Sequence, residues 1–168
     1  MGQHLSTTIH DHRIAWLAAF AISIHILEST LPSPLPGLKP GLANIITITV
    51  LCLEGWSSAA WVSMLRILVG SIIIGTFLSP TFVLSLSGAL GSLMILWPAT
   101  KLPGKGFGPI GYSLLASLAH ISSQFWIAYI LFIPHPAVWH LFPVLLTFAV
   151  LLGIFNGIIS YQIVTKLK

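Results

Sequence analysis

Charge is what this sequence has least of. Of 168 residues, seven are Lys or Arg and three are Asp or Glu, 6% in all, where soluble domains carry about 25%. A chain so poor in charge and 56% hydrophobic is no ordinary soluble domain, and its apolar surplus belongs in lipid. A single cysteine, Cys52, excludes an internal disulfide and any Cys-based zinc or iron–sulfur cage, which needs about four ligands. The only carboxylates are Asp11, Glu28 and Glu54, too few for paired acid–base chemistry beyond these positions. No Walker lysine loop, Gly-x-Ser-x-Gly elbow or His-Glu-x-x-His is present. No enzyme activity, catalytic residue, metal or cofactor is therefore assigned. The net charge of +4 is spread over loop ends and is a topology signal rather than a nucleic-acid footprint.

What is abundant is apolar sequence, in six runs broken by Pro, Gly and charge: Ile14 to Leu31, Leu42 to Leu53, Trp56 to Leu78, Thr81 to Trp97, Ile110 to Ile133, and Val138 to Val164. The pattern predicts an all-α, polytopic membrane bundle of about six helices. Residues 1–13 form a polar tail, 14–165 a single membrane domain, and 166–168 a basic end. No small-residue cleavage pattern follows the first run, so its helix is expected to be retained. The second run is the short one: 12 helical residues rise about 18 Å against a hydrocarbon core of about 30 Å, so it must be broken, tilted or extended. The Pro/Gly-rich loop before it, TLPSPLPGLKPG, is the kind of interruption that marks binding sites in membrane proteins. With six crossings, Arg13, Lys101, Lys105, Lys166 and Lys168 fall on one side and Lys39 on the other, which places both termini in the cytoplasm and the first loop outside. Trp56, Trp61, Trp97, Trp126 and Trp139 lie near segment ends, as interfacial anchors do.

Small residues recur four apart at Ala15 with Ala19, Gly88 with Ser92, and Gly153 with Gly157. Such pairs let helices approach closely, either inside one bundle or, for Ala15 and Ala19, against a partner helix. Ionisable and amide groups inside apolar runs cost several kcal/mol and are functional candidates by default. His25 and Glu28 share a face of the first segment, Arg66 lies near the middle of the third, and His120 and Gln124 share a face of the fifth. All five could converge on one polar pocket, or Arg66 could simply neutralise Glu28 or Glu54 as an architectural pair. Asn44 opens the second segment and either caps it or helps present backbone N–H groups to an anion. His4, His10, Asp11 and His12 form a polar patch whose simplest reading is a mobile tail rather than a metal site. His135 and His140 receive no role.

The run from Leu27 to Asn44, with Glu28-Ser29, then prolines, then Pro36-Gly37-Leu38-Lys39-Pro40-Gly41-Leu42-Ala43-Asn44, resembles the signature of the Gx transporter family, also labelled heptaprenyl diphosphate synthase component I. Ser63-Met64-Leu65-Arg66, Ser87-Gly88-Ala89-Leu90-Gly91 and Ala119-His120-Ile121-Ser122-Ser123-Gln124 resemble further family blocks, except that members often carry Gly where this chain has Ser123. The resemblance spans about residues 14 to 165. It implies a bundle similar to the substrate-capture subunits of energy-coupling-factor transporters, with the first loop as a lid and Ala15 and Ala19 meeting a transmembrane coupling protein that works with ATPases. The synthase label does not fit a catalytic role, because prenyl transfer needs Asp-rich magnesium sites and Asp11 is the single aspartate.

The expectation is therefore a substrate-capture component in the bacterial cytoplasmic (inner) membrane. His25, Glu28, Lys39, Asn44, Arg66, His120 and Gln124 would contact a small-molecule ligand, anionic or isoprenoid in character. The alternative is a non-catalytic accessory subunit of isoprenoid diphosphate or quinone metabolism.

Overall fold

The computed structural model describes residues 9–30, 42–102 and 107–167. These form six α-helices and one 3-10 turn, with no strand among the described residues: α1 (Ile9–Thr30), α2 (Leu42–Glu54), α3 (Trp56–Ile74), α4 (Pro80–Thr100), α5 (Pro109–Leu131), the turn Pro136–His140, and α6 (Leu141–Leu167). The all-α membrane bundle predicted from composition is what forms. Four helices, α3 to α6, are long and apolar enough to cross a membrane, while the apolar stretches of α1 and α2 are shorter, Ile14–Ser29 and Asn44–Glu54.

The boundaries move where local chemistry overrides hydropathy. Helix α1 begins at Ile9, so His10 to Arg13 lie in its first turns. The third run does not reach Leu78. Gly75 takes a left-handed conformation (φ 78°, ψ 18°), its N–H and that of Thr76 returning to the Ile72 and Ser71 carbonyls, which closes α3 as glycine C-terminal motifs do. Helix α4 then starts sharply, because the Ser79 hydroxyl accepts from Phe82 N–H at 3.3 Å and Pro80 sits in the first turn. The last run opens as a 3-10 turn in which His135 Nδ1 accepts from Ala137 N–H.

Helix α2 resolves the puzzle of the short second run. Ile45 through Leu51 are buried without a break, almost two turns enclosed on every side, Thr47 and Thr49 included. It packs against α1, α3, α5 and α6. Its 13 residues rise about 20 Å and need not cross the bilayer, because protein rather than lipid surrounds them. Around it cluster Ala18 of α1, Ala59 and Val62 of α3, Leu96 of α4 and Ala116 of α5, and Ser160 of α6 donates to the Ile45 carbonyl at 3.2 Å. Every one of these residues lies toward the end of the bundle that carries both termini. The core of the opposite half is separate, Ile67, Phe82 and Ala89 between α3 and α4.

Small residues set the helix spacing. A methyl group at Gly88 would lie 2.6 Å from the His120 ring and one at Gly91 would collide with the Ser123 hydroxyl, so α4 lies close along one side of α5. On the other side, a methyl at Gly153 would be 3.0 Å from Ser117 Oγ, and one at Gly157 would be 2.6 Å from Ile110 Cα. Helix α5 is thus held between α4 and α6 at distances that only glycine permits. The room that Gly91 provides accommodates Ser123. Trp56 ties α3 to α4 by donating its Nε1–H to the Leu93 carbonyl at 3.1 Å, a packing role rather than the interfacial one suggested by its position. Trp97, at the end of α4, has Lys101 Nζ 3.6 Å from its ring centroid.

Candidate functional site

The polar residues picked out in the sequence occupy one layer. In α1, α3 and α5, the level at which α2 packs is marked by Ala18, Val62 and Ala116. His25 and Glu28, Arg66, and His120 and Gln124 each lie one to three turns beyond it, away from the termini. In the antiparallel α4, Gly88 lies about two turns beyond Leu96 in the same direction. The layer therefore lies beyond the cluster built around α2, with Arg66 level with the first turn of that helix when counted across the Gly55 turn.

Two of these helices bring their polar faces together. His25 lies against Gly70 so closely that a methyl there would be 2.8 Å from its Cδ2. Arg66 is one turn from Gly70 on the same face of α3, and Glu28 is one turn from His25 on the same face of α1. Glu28 is 3% exposed and Arg66 7%, the only two buried side chains of formal charge among the described residues. Arg66 Nε has no hydrogen-bond partner among the described residues. An unmade hydrogen bond on a buried cation costs more than on a neutral group, so an acceptor placed at this nitrogen would be stabilising.

His120 is committed to the protein. Ser92 Oγ has one hydrogen, and its short contacts run to the carbonyls of Ala116 at 2.9 Å and Gly88 at 3.0 Å. In its 3.4 Å contact with His120 Nδ1 the serine oxygen therefore accepts, Nδ1 carries the hydrogen, and Nε2 accepts from Gln124 Nε2 at 3.0 Å. The acceptor this pair has left to offer a ligand is Gln124 Oε1. His120 thereby orients Gln124.

Two other expectations have different outcomes. Lys39, like His4, lies outside the described residues. Asn44 is not a cap: α2 begins at Leu42, which puts Asn44 inside the first turn, half-buried. The pairs Gly88 with Ser92 and Gly153 with Gly157 pack within the bundle, whereas Ala15 and Ala19 are exposed, in line with Ser23, whose hydroxyl is turned back onto the Ala19 carbonyl at 2.9 Å. Beside Ala15 runs an open groove of about 510 Å³ between α1 and α3, whose floor includes Glu54, Ser58 and Leu65 with Trp61 at its edge.

Sequence reasoning passed over a small cavity at the end of the bundle opposite the termini. About 30 Å³ in volume, it is lined by His25, Ser71, Thr76, Thr81 and Ser85 together with apolar side chains of α3 and α4. The only sequence signal was the run of hydroxyl residues on either side of Gly75 and Pro80. Trp139 is the hub of a further cluster, its ring centroid 5.2 to 6.0 Å from those of Phe125, Trp126, Tyr129 and Phe142.

No curated protein and no solved structure matches the chain. The family model described as heptaprenyl diphosphate synthase component I matches residues 17–163, a span that includes α2 to α5 whole and every buried polar residue of the layer beyond the α2 cluster. The chain belongs to the heptaprenyl diphosphate synthase component I family.

Proposed function

We propose that this protein is the substrate-capture component of a small-molecule transporter in a bacterial cytoplasmic membrane, with its termini in the cytoplasm and the polar layer beyond the α2 cluster as its binding site. The observation that carries the reading is Arg66: a buried guanidinium whose Nε finds no partner among the described residues, with Glu28, His120 and Gln124 on the neighbouring helices. Such a group costs several kcal/mol to bury and is kept where it has something to bind. Arg66 would grip the polar end of the ligand, Gln124 would accept from it, and His25 and Glu28 would line the approach, with Lys39 and Asn44 contributing near the lid. The exposed Ala15–Ala19 face, with the groove beside it, suits a transmembrane coupling protein, which would bring the ATPases this chain lacks. The test is mass spectrometry of small molecules that co-purify with the detergent-extracted protein. A water-soluble ligand bound to the wild type and absent from Arg66→Ala is expected. Purified protein that retains nothing above background, alone or with its partners, would sink the reading.

The family description favours a second reading, because a component I implies a partner component. In it the chain is a non-catalytic accessory subunit of isoprenoid or quinone metabolism, Arg66 holding a diphosphate or quinone head and the bundle sheltering the tail. A co-purifying prenyl diphosphate or quinone would favour it. Normal quinone levels in a deletion strain would count against it.

A further inference from the structure

The turn that joins α3 to α4 bends at a leucine. Ser79 N–H returns to the Thr76 carbonyl at 3.0 Å, closing a turn over Thr76 to Ser79 whose third residue, Leu78, takes φ 61°. Positive φ at that place in a turn asks for glycine or asparagine, because a Cβ crowds the following carbonyl there. Leu78 is the only residue other than glycine with positive φ among the described residues. It is also 74% exposed, so burial of its own side chain does not offset the strain. Its neighbours impose the bend. On one side Gly75 closes α3, and the Thr76 N–H is held by the Ser71 carbonyl at 2.8 Å. On the other, Ser79 caps α4 in an extended conformation (φ −77°, ψ 165°), the one that the following Pro80 favours. Phe77 is a third hold, its ring centroid 5.0 Å from that of Phe82. Such strain persists only where the surroundings over-determine it, and it gathers at switch regions.

This turn covers something. Ile74, Thr76, Thr81 and Phe82, all in the turn or within three residues of it, are half the lining residues of the cavity of about 30 Å³. They form its side nearest the end of the bundle opposite the termini. Farther in, the lining includes His25 and Ser71, and Ser71 is only 4% exposed. A buried water occupies roughly 10–15 Å³ on this measure, so the closed cavity has room for about two and for nothing larger.

We propose that the α3–α4 turn is a gate, which closes this cavity in the present structure and opens about Gly75 and Ser79 to admit water and small polar solutes to Ser71 and His25. The strain sets the balance between the two states. Opening returns Leu78 to an ordinary negative φ, which offsets part of the loss of the Ser79–Thr76 hydrogen bond and of the Phe77–Phe82 contact. The gate is separate from the first loop and does not rest on the capture reading, because access can be measured without any ligand.

The probe is 2-aminoethyl methanethiosulfonate, a small cationic thiol reagent, applied to full-length Ser71→Cys in detergent. Peptide mass spectrometry follows the thiol at position 71 and, in the same sample, native Cys52, which packs against the α2 core and reports general loosening. Adding Leu78→Gly or Leu78→Asn should slow modification at position 71 by about three- to tenfold, because both residues accept positive φ and favour the closed turn. Leu78→Val, which stays apolar but is β-branched and worse at positive φ, should quicken it by a similar factor. Phe77→Ala, which removes the ring contact, should do the same. The rate at Cys52 should not change in any of them. Equal rates at position 71 across the Leu78 series overturn the gate, as do changes that Cys52 shares in proportion, or no modification at position 71 in any variant. Because the Ser71 hydroxyl donates to the Leu68 carbonyl at 2.9 Å and its replacement could perturb α3, hydrogen exchange without any added cysteine is the second measurement. The Ser79 amide should exchange about three- to tenfold more slowly in Leu78→Gly than in the wild type, and an unchanged rate overturns the proposal.

Discussion

Replacing Gly88 by alanine should damage this protein through His120 alone, and replacing His120 as well should repair part of the damage. The added methyl would lie 2.6 Å from both Cε1 and Nε2 of the imidazole and 2.8 Å from Cδ2, against about 3.5–4.0 Å for a comfortable contact. The ring cannot give way by rotating a little, because it is held on both sides, by Ser92 at 3.4 Å and Gln124 at 3.0 Å. Overpacking a filled interior costs about 1–3 kcal/mol, and each hydrogen bond lost between membrane helices costs on average about 0.6 kcal/mol. Alanine returns up to about 1 kcal/mol of helix propensity. The net for Gly88→Ala is a loss of about 2 kcal/mol. His120→Ala leaves a void and strands Gln124, for about 2–4 kcal/mol. In the double variant the methyl enters space the ring has vacated, so the total should fall short of the sum by about 1–2 kcal/mol. The assay is reversible unfolding by a denaturing detergent in mild micelles, followed by the fluorescence of the six tryptophans. Additivity to within about 0.5 kcal/mol, the behaviour of sites that do not touch, would refute the contact and with it the placement of His120 in the binding layer.

Two further comparisons test the packing and the proposed docking face. Gly157→Ala should destabilise by about 1–3 kcal/mol, because its methyl meets the Ile110 backbone at 2.6 Å and α5 must shift. Gly111→Ala meets the Phe107 ring at 3.0 Å, in a side chain just before the helix that can move aside, and should change stability by less than about 0.5 kcal/mol. Equal melting temperatures for the two variants would count against the close α5–α6 contact. Ala15→Leu and Ala19→Leu, at exposed positions, should leave the melting temperature of the isolated protein unchanged and abolish co-purification of a membrane partner. A variant that melts early or still retains its partner would remove the docking role from this face.

Composition and hydropathy were enough to place this chain in the membrane as a helical bundle, because the cost of charge in lipid acts on every residue of a span and needs no knowledge of neighbours. What they could not say was how α2 is housed. A 12-residue apolar run is too short to span a bilayer, and whether it can stop partway depends on which helices enclose Ile45 to Leu51, a matter of tertiary contact. The small-residue pairs show the same limit. Spacing puts Ala15 with Ala19, and Gly153 with Gly157, on one helix face each, but only packing turns the second pair against Ser113 and Ser117 and leaves the first exposed. The polar residues were legible for the opposite reason, since a buried arginine or glutamate is anomalous wherever it lies. Their individual duties were not. His120 and Arg66 look alike in sequence as intramembrane cations-in-waiting, yet the imidazole spends both nitrogens on Ser92 and Gln124 while the guanidinium keeps Nε unspent. The proposed binding site rests on that asymmetry, because of the two buried side chains of formal charge among the described residues it is Arg66 whose guanidinium holds a donor with no partner among those residues.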